Sequence, residues 1–158
     1  MNTAPVRVYA DTSVYGGAFD EEFAQASRTF FHEVRQGRFQ LLVSPVLEEE
    51  LAGAPESVSA LYREMAASAE SAASPTEAVQ LQEAYLRAGI VAPKWADDAL
   101  HVAFAAVNRC SMLVSWNFKH IVHYDKIALY NAVNLVQGYG EIGIHTPQEV
   151  IEYEDQDV

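Results

Sequence analysis

Four oxygen-bearing side chains stand just beyond hydrophobic runs that lie far apart in the chain. Asp11 closes Val6-Arg7-Val8-Tyr9-Ala10, and Glu50 sits on the segment that follows Leu41-Leu42-Val43. Asp98 opens the apolar stretch Ala99 to Ala106, and Asn117 lies just past Met112-Leu113-Val114. In an open parallel sheet, ligands bind outside the carboxyl ends of the strands. Residues in such positions can therefore meet despite long separation. Carboxylates gathered at one point repel each other unless a cation joins them, and hard oxygen ligands favour Mg²⁺ or Mn²⁺. The spacing points to a divalent-metal site.

Each of these residues also has a plainer reading. Asp11 is a good helix N-cap for the segment after Thr12, and Thr12 and Ser13 add hydroxyls placed to hold its carboxylate or a metal-bound water. Glu48, Glu49 and Glu50 form a run that reads as a solvated helix face. Helical neighbours diverge by about 100°, so not all three face inward. Glu50, next to Leu51 and on the side of Val46 and Leu47, is the best candidate. Asp97 and Asp98 both fall in the first turns of a helix, where the macrodipole favours anions; Asp98 shares the inner side with Val102, while Asp97 is offset. His101, one turn on, either orients Asp98 or is a hydrogen-bonded core histidine. Ser115-Trp116-Asn117-Phe118-Lys119-His120 is the densest polar cluster after any strand. Asn117 can offer a carbonyl oxygen to a hydrated metal, and Lys119 and His120 are placed to contact phosphate. His120 and His123 lack a third partner, so zinc is a weak reading.

The elements that position these groups follow from pattern. Strands are expected at Val6–Ala10, Phe39–Val43, Met112–Ser115, Asn134–Val136 and Ile142–Ile144. A helix is expected from about Glu21 to Gln36, with Phe23, Phe30, Phe31 and Val34 as its inner face. Ser44-Pro45 starts another, serine as N-cap and proline at the first helical position, and it stops near Gly53. Pro55 begins a helix with Val58, Leu61, Tyr62 and Met65 at helical spacing. Ala66 to Ser74 reads either as a low-complexity connector or as more of that helix. Pro75 opens the helix that ends at Gly89, Lys94 to Asn108 is the most hydrophobic one, and Thr146-Pro147 caps a last helix over Gln148–Tyr153. Strands separated by helices imply a parallel sheet covered on both faces.

The composition sets bounds. With 158 residues and 50% hydrophobic content, the chain is long enough for one domain, residues 1–158, with a real core. No apolar run approaches the roughly 20 residues of a membrane span, and Met1-Asn2-Thr3-Ala4-Pro5 does not read as a secretory signal, so a cytoplasmic location is expected. The single cysteine, Cys110, reads as a small buried hydrophobe. A formal charge of −12 argues against tight non-specific binding to polyanions. Part of the excess is peripheral, at Asp20, Glu21 and Glu22 and at Glu149, Glu152, Glu154, Asp155 and Asp157. Phosphate-loop, dinucleotide and nucleophile-elbow signatures are absent.

Taken together, the landmarks resemble the PIN-domain family, and within it the VapC-like toxin branch. The resemblance rests on Tyr9-Ala10-Asp11-Thr12-Ser13-Val14-Tyr15-Gly16-Gly17, Ser44 through Glu50-Leu51, Asp98-Ala99-Leu100-His101-Val102-Ala103, and Leu113 through Ile121. Asn131 through Leu135, with Thr146-Pro147-Gln148-Glu149-Val150, completes it. Each motif alone is short; five in order are fairly specific. The resemblance implies an α/β fold, a three-layer α/β/α sandwich on a central, mainly parallel sheet. It implies an Mg²⁺- or Mn²⁺-dependent endoribonuclease with RNA as substrate, a small antitoxin as partner and a homodimer.

Carried over, the catalytic acids fall on Asp11, Glu50 and Asp98, with Asn117 at a fourth position that is often aspartate. Asp11 and Asp98 would hold a metal directly, and Ser13 and Ser115 would support them. Lys119 would stabilise charge on the phosphate, and the products would carry a 5′-phosphate and a 3′-hydroxyl. Asn117 leaves the site one charge short, which keeps open a catalytically weak PIN-like binding or regulatory module. A phosphatase on the same sheet fits less well, because Asp11 is followed by Thr-Ser and not by a second aspartate two residues on.

Overall fold

The computed structural model describes residues 4–153. The acids Glu154, Asp155 and Asp157 and the first three residues lie outside that range. The strands are β1 (Val6–Ala10), β2 (Phe39–Val43), β3 (Glu70–Ser71), β4 (Met112–Val114) and β5 (Gly143–His145). The helices are α1 (Thr12–Gly17), α2 (Ala24–Arg35), α3 (Pro45–Ala52), α4 (Glu56–Ala66), α5 (Pro75–Arg87), α6 (Ala96–Val107), α7 (Tyr124–Val136) and α8 (Pro147–Val150). A 3₁₀ turn, Pro93–Trp95, leads into α6.

The sheet is parallel throughout, in the order β3-β2-β1-β4-β5. Val8 lies between Leu41 on one side and Met112 on the other. The strands alternate between two apolar clusters. Tyr9, Leu42 and Leu113 point into the cluster made with α5, α6 and α7. Val8, Ala10, Leu41 and Val114 point into the cluster of Val14, Tyr15, Phe30, Phe31, Met65 and their neighbours on α1 to α4. Period-two alternation with both faces buried requires a helical layer on each side, and the result is an α/β/α sandwich. Among the described residues no helix is long and apolar enough to cross a membrane.

Two expectations need correction. The segment Asn134–Val136 is not a strand but the last turn of α7. Its consecutive Leu135 and Val136 mimic a strand, yet Asn134 is buried and accepts the Tyr85 hydroxyl, while Leu135 and Val136 face outward. The Ala66–Ser74 connector contains the two-residue edge strand β3, held by Ala72 N–H donating to Val43 O at 2.8 Å. Asn108 clamps its exit through both polar groups of Ala73. As the N-cap reading of Asp11 anticipates, Thr12–Gly17 is a helix, its paired glycines included. Asp11 caps it, and Gly17 is needed because a Cβ there would come within 2.9 Å of the Trp116 ring.

Cys110 is buried as expected, and burial pushes its thiol up to about 11. The Tyr15 hydroxyl is also buried, and finds no hydrogen-bond partner among the described residues.

Candidate active site

The chain leaves β1 toward β2 and β3 on one side, then returns to β4 on the other. The crevice at the carboxyl ends of β1 and β4 is thus a topological switch point, where open α/β sheets bind ligands. Asp11 follows β1 there and Ser115 follows β4. Ser44, the N-cap of α3, follows β2 at the same end.

Asp11 is 4% exposed and fully engaged. Oδ1 accepts the Ser13 N–H at 3.1 Å and the Ser13 hydroxyl at 2.5 Å, and Oδ2 accepts the Ser115 hydroxyl at 2.6 Å. Both serines are fixed in turn: Trp116 N–H donates to Ser13 Oγ at 2.8 Å, and Asn117 N–H to Ser115 Oγ at 2.9 Å. Burial lifts the Asp11 carboxyl above its ordinary range, against the opposing charge of His101 and the two hydroxyls. The N-cap reading of Asp11 is observed directly, since Oδ1 accepts the Ser13 N–H at the start of α1.

Glu50 is the glutamate of its run that reaches the site. Its Oε1 accepts Thr12 Oγ1–H at 2.8 Å and lies 2.5 Å from His101 Nε2. Burial opposes its charge, but the hydrogen bond and charge of His101, with the Thr12 hydroxyl, outweigh it and hold the carboxyl below its ordinary range. His101 is buried, and its Nδ1 lies 2.6 Å from the Tyr9 hydroxyl, which lies 2.7 Å from Ser44 Oγ. Ser44 Oγ accepts Leu47 N–H at 3.3 Å. Ser44, Tyr9 and His101 thus form one hydrogen-bonded chain that runs from Leu47 N–H to the Glu50 carboxylate. His101 therefore serves Glu50 and not Asp98. Tyr9 and Ser44 are missed by sequence reasoning. The Ser44 N-cap was the visible signal, whereas Tyr9 looks like any inward strand residue.

Asp98 is half-buried in the first turn of α6, and Asp97 beside it is exposed, as expected. Burial raises the Asp98 carboxyl, and the Glu50 charge adds to this. The Asn117 amide and the charges of His120 and His101 oppose them. Asn117 Oδ1 accepts His120 N–H at 2.9 Å. The Asn117 amide favours the charged Asp98 carboxyl, which an aspartate at 117 would repel.

The zinc reading finds no support. His123 caps α7, accepting Asp125 N–H at 3.3 Å, while His120 stacks on Trp95 with ring centroids 4.7 Å apart. Lys119 is exposed beside the site, with its Nζ 5.9 Å from the Trp95 ring centroid.

The donor set is three carboxylates and an amide, all hard oxygen chemistry suited to Mg²⁺ or Mn²⁺. Among the described residues no group of three or more His, Cys, Asp or Glu is placed to hold a metal by itself, so any ion here would rest on at most two protein carboxylates. Mg²⁺ characteristically takes one or two carboxylates, keeps several waters and uses substrate phosphates for the rest.

No protein-family model matches the chain, and no curated protein is a significant match. Among solved structures, the chain is similar to one in the crystal structure of VapBC2 from Rickettsia felis bound to a DNA fragment from its promoter. The TM-score is 0.56 at 10% identity, over 89% of this chain and 98% of the other. The shared feature is the fold, a PIN-like α/β sandwich on a parallel five-stranded sheet.

Proposed function

We propose that this chain is a Mg²⁺- or Mn²⁺-dependent endoribonuclease, the toxin of a toxin–antitoxin pair. The observation that carries the reading is the meeting of Asp11, Asp98 and Glu50 at the switch point, with two of the carboxyls lifted by burial. Burial and mutual repulsion disfavour the charged form of both aspartates, and a bound cation would relieve both. The likeness in fold to a VapBC2 chain supports the toxin assignment.

In this reading Asp11 and Asp98 would hold the ion. When bound, it supplies a nucleophile from water at neutral pH and polarises the phosphodiester. Ser13 and Ser115 keep Asp11 in one rotamer. Thr12 and His101 hold Glu50 through Oε1, and Glu50, ionised at neutral pH, presents Oε2 to take a proton from the attacking water. Lys119 offers a positive charge to the phosphate, and the products carry a 5′-phosphate and a 3′-hydroxyl.

An antitoxin would cover the acidic crevice, an arginine being suited to pair with its carboxylates; the −12 charge suits a basic partner segment. A homodimer would cover the apolar residues that α7 exposes, Tyr124 at 89% and Val136 at 82% among them. The setting is the cytoplasm.

One observation favours a second reading, a PIN-like module with weak or no catalysis: Asn117 stands where a fourth acid is expected, and its Oδ1 is already engaged. Incubating a mixed RNA pool with wild type, Asp11→Asn and Asp98→Asn, in Mn²⁺ or in EDTA, separates the two. The nuclease cleaves only as wild type with Mn²⁺, while both variants keep the native circular dichroism spectrum. Cleavage that survives either substitution, or no cleavage by wild type, removes the nuclease reading.

A further inference from the structure

Two of the chain's three lysines, Lys94 and Lys119, stand over one ring, that of Trp95, and Lys119 follows Asn117 by two residues. In a protein of net charge −12, two lysines gathered on one aromatic ring beside the candidate active site stand apart from the acidic surface. Four of the seven arginines, Arg7, Arg35, Arg38 and Arg63, pair with a glutamate, whereas no lysine is in an ion pair among the described residues.

At the centre of this patch is an aromatic platform. Trp95 stacks on His120 at an interplanar angle of 29° and remains 38% exposed. The ammonium groups of Lys94 and Lys119 lie over the indole, 5.2 and 5.9 Å from the ring centroid. His120 is rigid beneath it: its N–H is held by Asn117 Oδ1 at 2.9 Å, and its carbonyl accepts the Tyr130 hydroxyl at 2.9 Å. Asn117, whose amide favours the charged Asp98 carboxyl, thus also anchors the platform.

We infer that Trp95, backed by His120 and flanked by Lys94 and Lys119, is the landing site for an unpaired nucleobase next to the carboxylate crevice. The inference deepens the nuclease reading and rests on it. A base stacks on the indole while the flexible lysines move from the ring to the flanking phosphates, which is how single-stranded nucleic acid is held without sequence preference. A duplex hides its base faces and cannot use such a platform. The substrate is accordingly single-stranded RNA, positioned by stacking with modest dependence on which base it carries.

The test is fluorescence anisotropy of a short labelled single-stranded oligoribonucleotide binding the full chain in Ca²⁺, with tryptophan emission read in the same cuvette. Trp95→Ala weakens binding about tenfold, as loss of one base–aromatic stack does, and Trp95→Phe retains most of the affinity. Wild-type emission is quenched on binding; in Trp95→Phe the quench is lost, because the other tryptophan, Trp116, is buried. The double change Lys94→Ala/Lys119→Ala lowers the slope of log affinity against log salt by about 1.4, the value for two single-strand phosphates.

Equal binding by Trp95→Ala, or equal binding and quench with a blunt duplex, overturns the inference. So does an oligoglutamate peptide that binds as well as the RNA and shows the same Trp95 dependence, since the patch would then be an acidic-peptide surface. Cleavage of the RNA pool in Mn²⁺, measured in parallel, keeps the two proposals apart. RNA that is cut while Trp95→Ala binds normally removes the platform alone. RNA held through Trp95 but never cut removes the nuclease reading alone.

Discussion

Asp11 and Asp98 stand at the same end of the sheet, and burial raises both, yet the protein treats them in opposite ways. Asp11 is 4% exposed and takes three hydrogen bonds from two serines that are themselves pinned by backbone N–H groups. Asp98 is half-buried and has only the Asn117 amide and nearby cationic groups to offset its charge. The first is a fixed post and the second an adaptable one. That division suits a site that must hold a cation in place yet let substrate and product pass.

The comparison breaks most severely when either post loses its charge. Asp11→Asn and Asp98→Asn should each cost RNA cleavage more than the roughly 10–100-fold typical of groups one step removed from a metal. Rates of RNA cleavage in Mn²⁺ check this.

Next in size is the support of the fixed post. Ser115→Ala leaves Asp11 Oδ2 and the Asn117 N–H without partners in a buried place, so it should cost about 1–3 kcal/mol of stability by denaturant titration. Cleavage should fall about 10–100-fold. No single substitution around Asp98 should reproduce both effects, since one amide does less than two locked serines.

The pH dependence of stability sharpens the contrast further, with Glu50 as the reference. The folded-state pKa of Asp98 lies above its ordinary value, so between the two the native state binds more protons, and stability falls as pH rises through that window. Asp98→Asn should therefore raise Tm at neutral pH in EDTA, and the gain should vanish in acid, where the carboxyl is protonated in both states. Glu50 is lowered, so its contribution is present above the ordinary glutamate range and is lost as pH falls through the folded-state value. Glu50→Gln should lower Tm at neutral pH and converge with wild type in acid. Thermal melts of the two variants across pH should thus diverge from wild type in opposite directions.

The smallest effect lies outside both posts. Tyr15→Phe removes a buried hydroxyl that has no partner among the described residues, so it should be neutral or stabilising by about 1 kcal/mol.

Much of this was legible in the sequence, for identifiable reasons. The strands Val6–Ala10 and Phe39–Val43 are apolar runs broken only by Arg7 and Gln40, with turn signals at their ends, and the structure reproduces those bounds. The Ser44-Pro45 start declared α3 and with it the position of Glu50. Residues after strand ends were readable as a group because parallel topology forces them to one edge. What was hidden depended on tertiary partners. α7 carries apolar letters on its exposed side and a buried asparagine on its inner side, the reverse of the usual pattern, so its last turn reads as strand. β3 has no apolar residue and exists only because β2 offers an unpaired edge. At the site, Tyr9 gave no sign that its hydroxyl, and not merely its ring, was in use. The partner of His101 could not be chosen between Asp98 and a core group until Glu50 was seen beside it.

The central claim is that Asp11 and Asp98 together make a divalent-cation site, and calorimetric titration of Mn²⁺ tests it most directly. Wild type should bind Mn²⁺ with measurable heat, while Asp98→Asn and Asp11→Asn should each show none under the same conditions. Mn²⁺ binding that persists unchanged in both variants, or no binding by wild type even at millimolar Mn²⁺, would contradict the account.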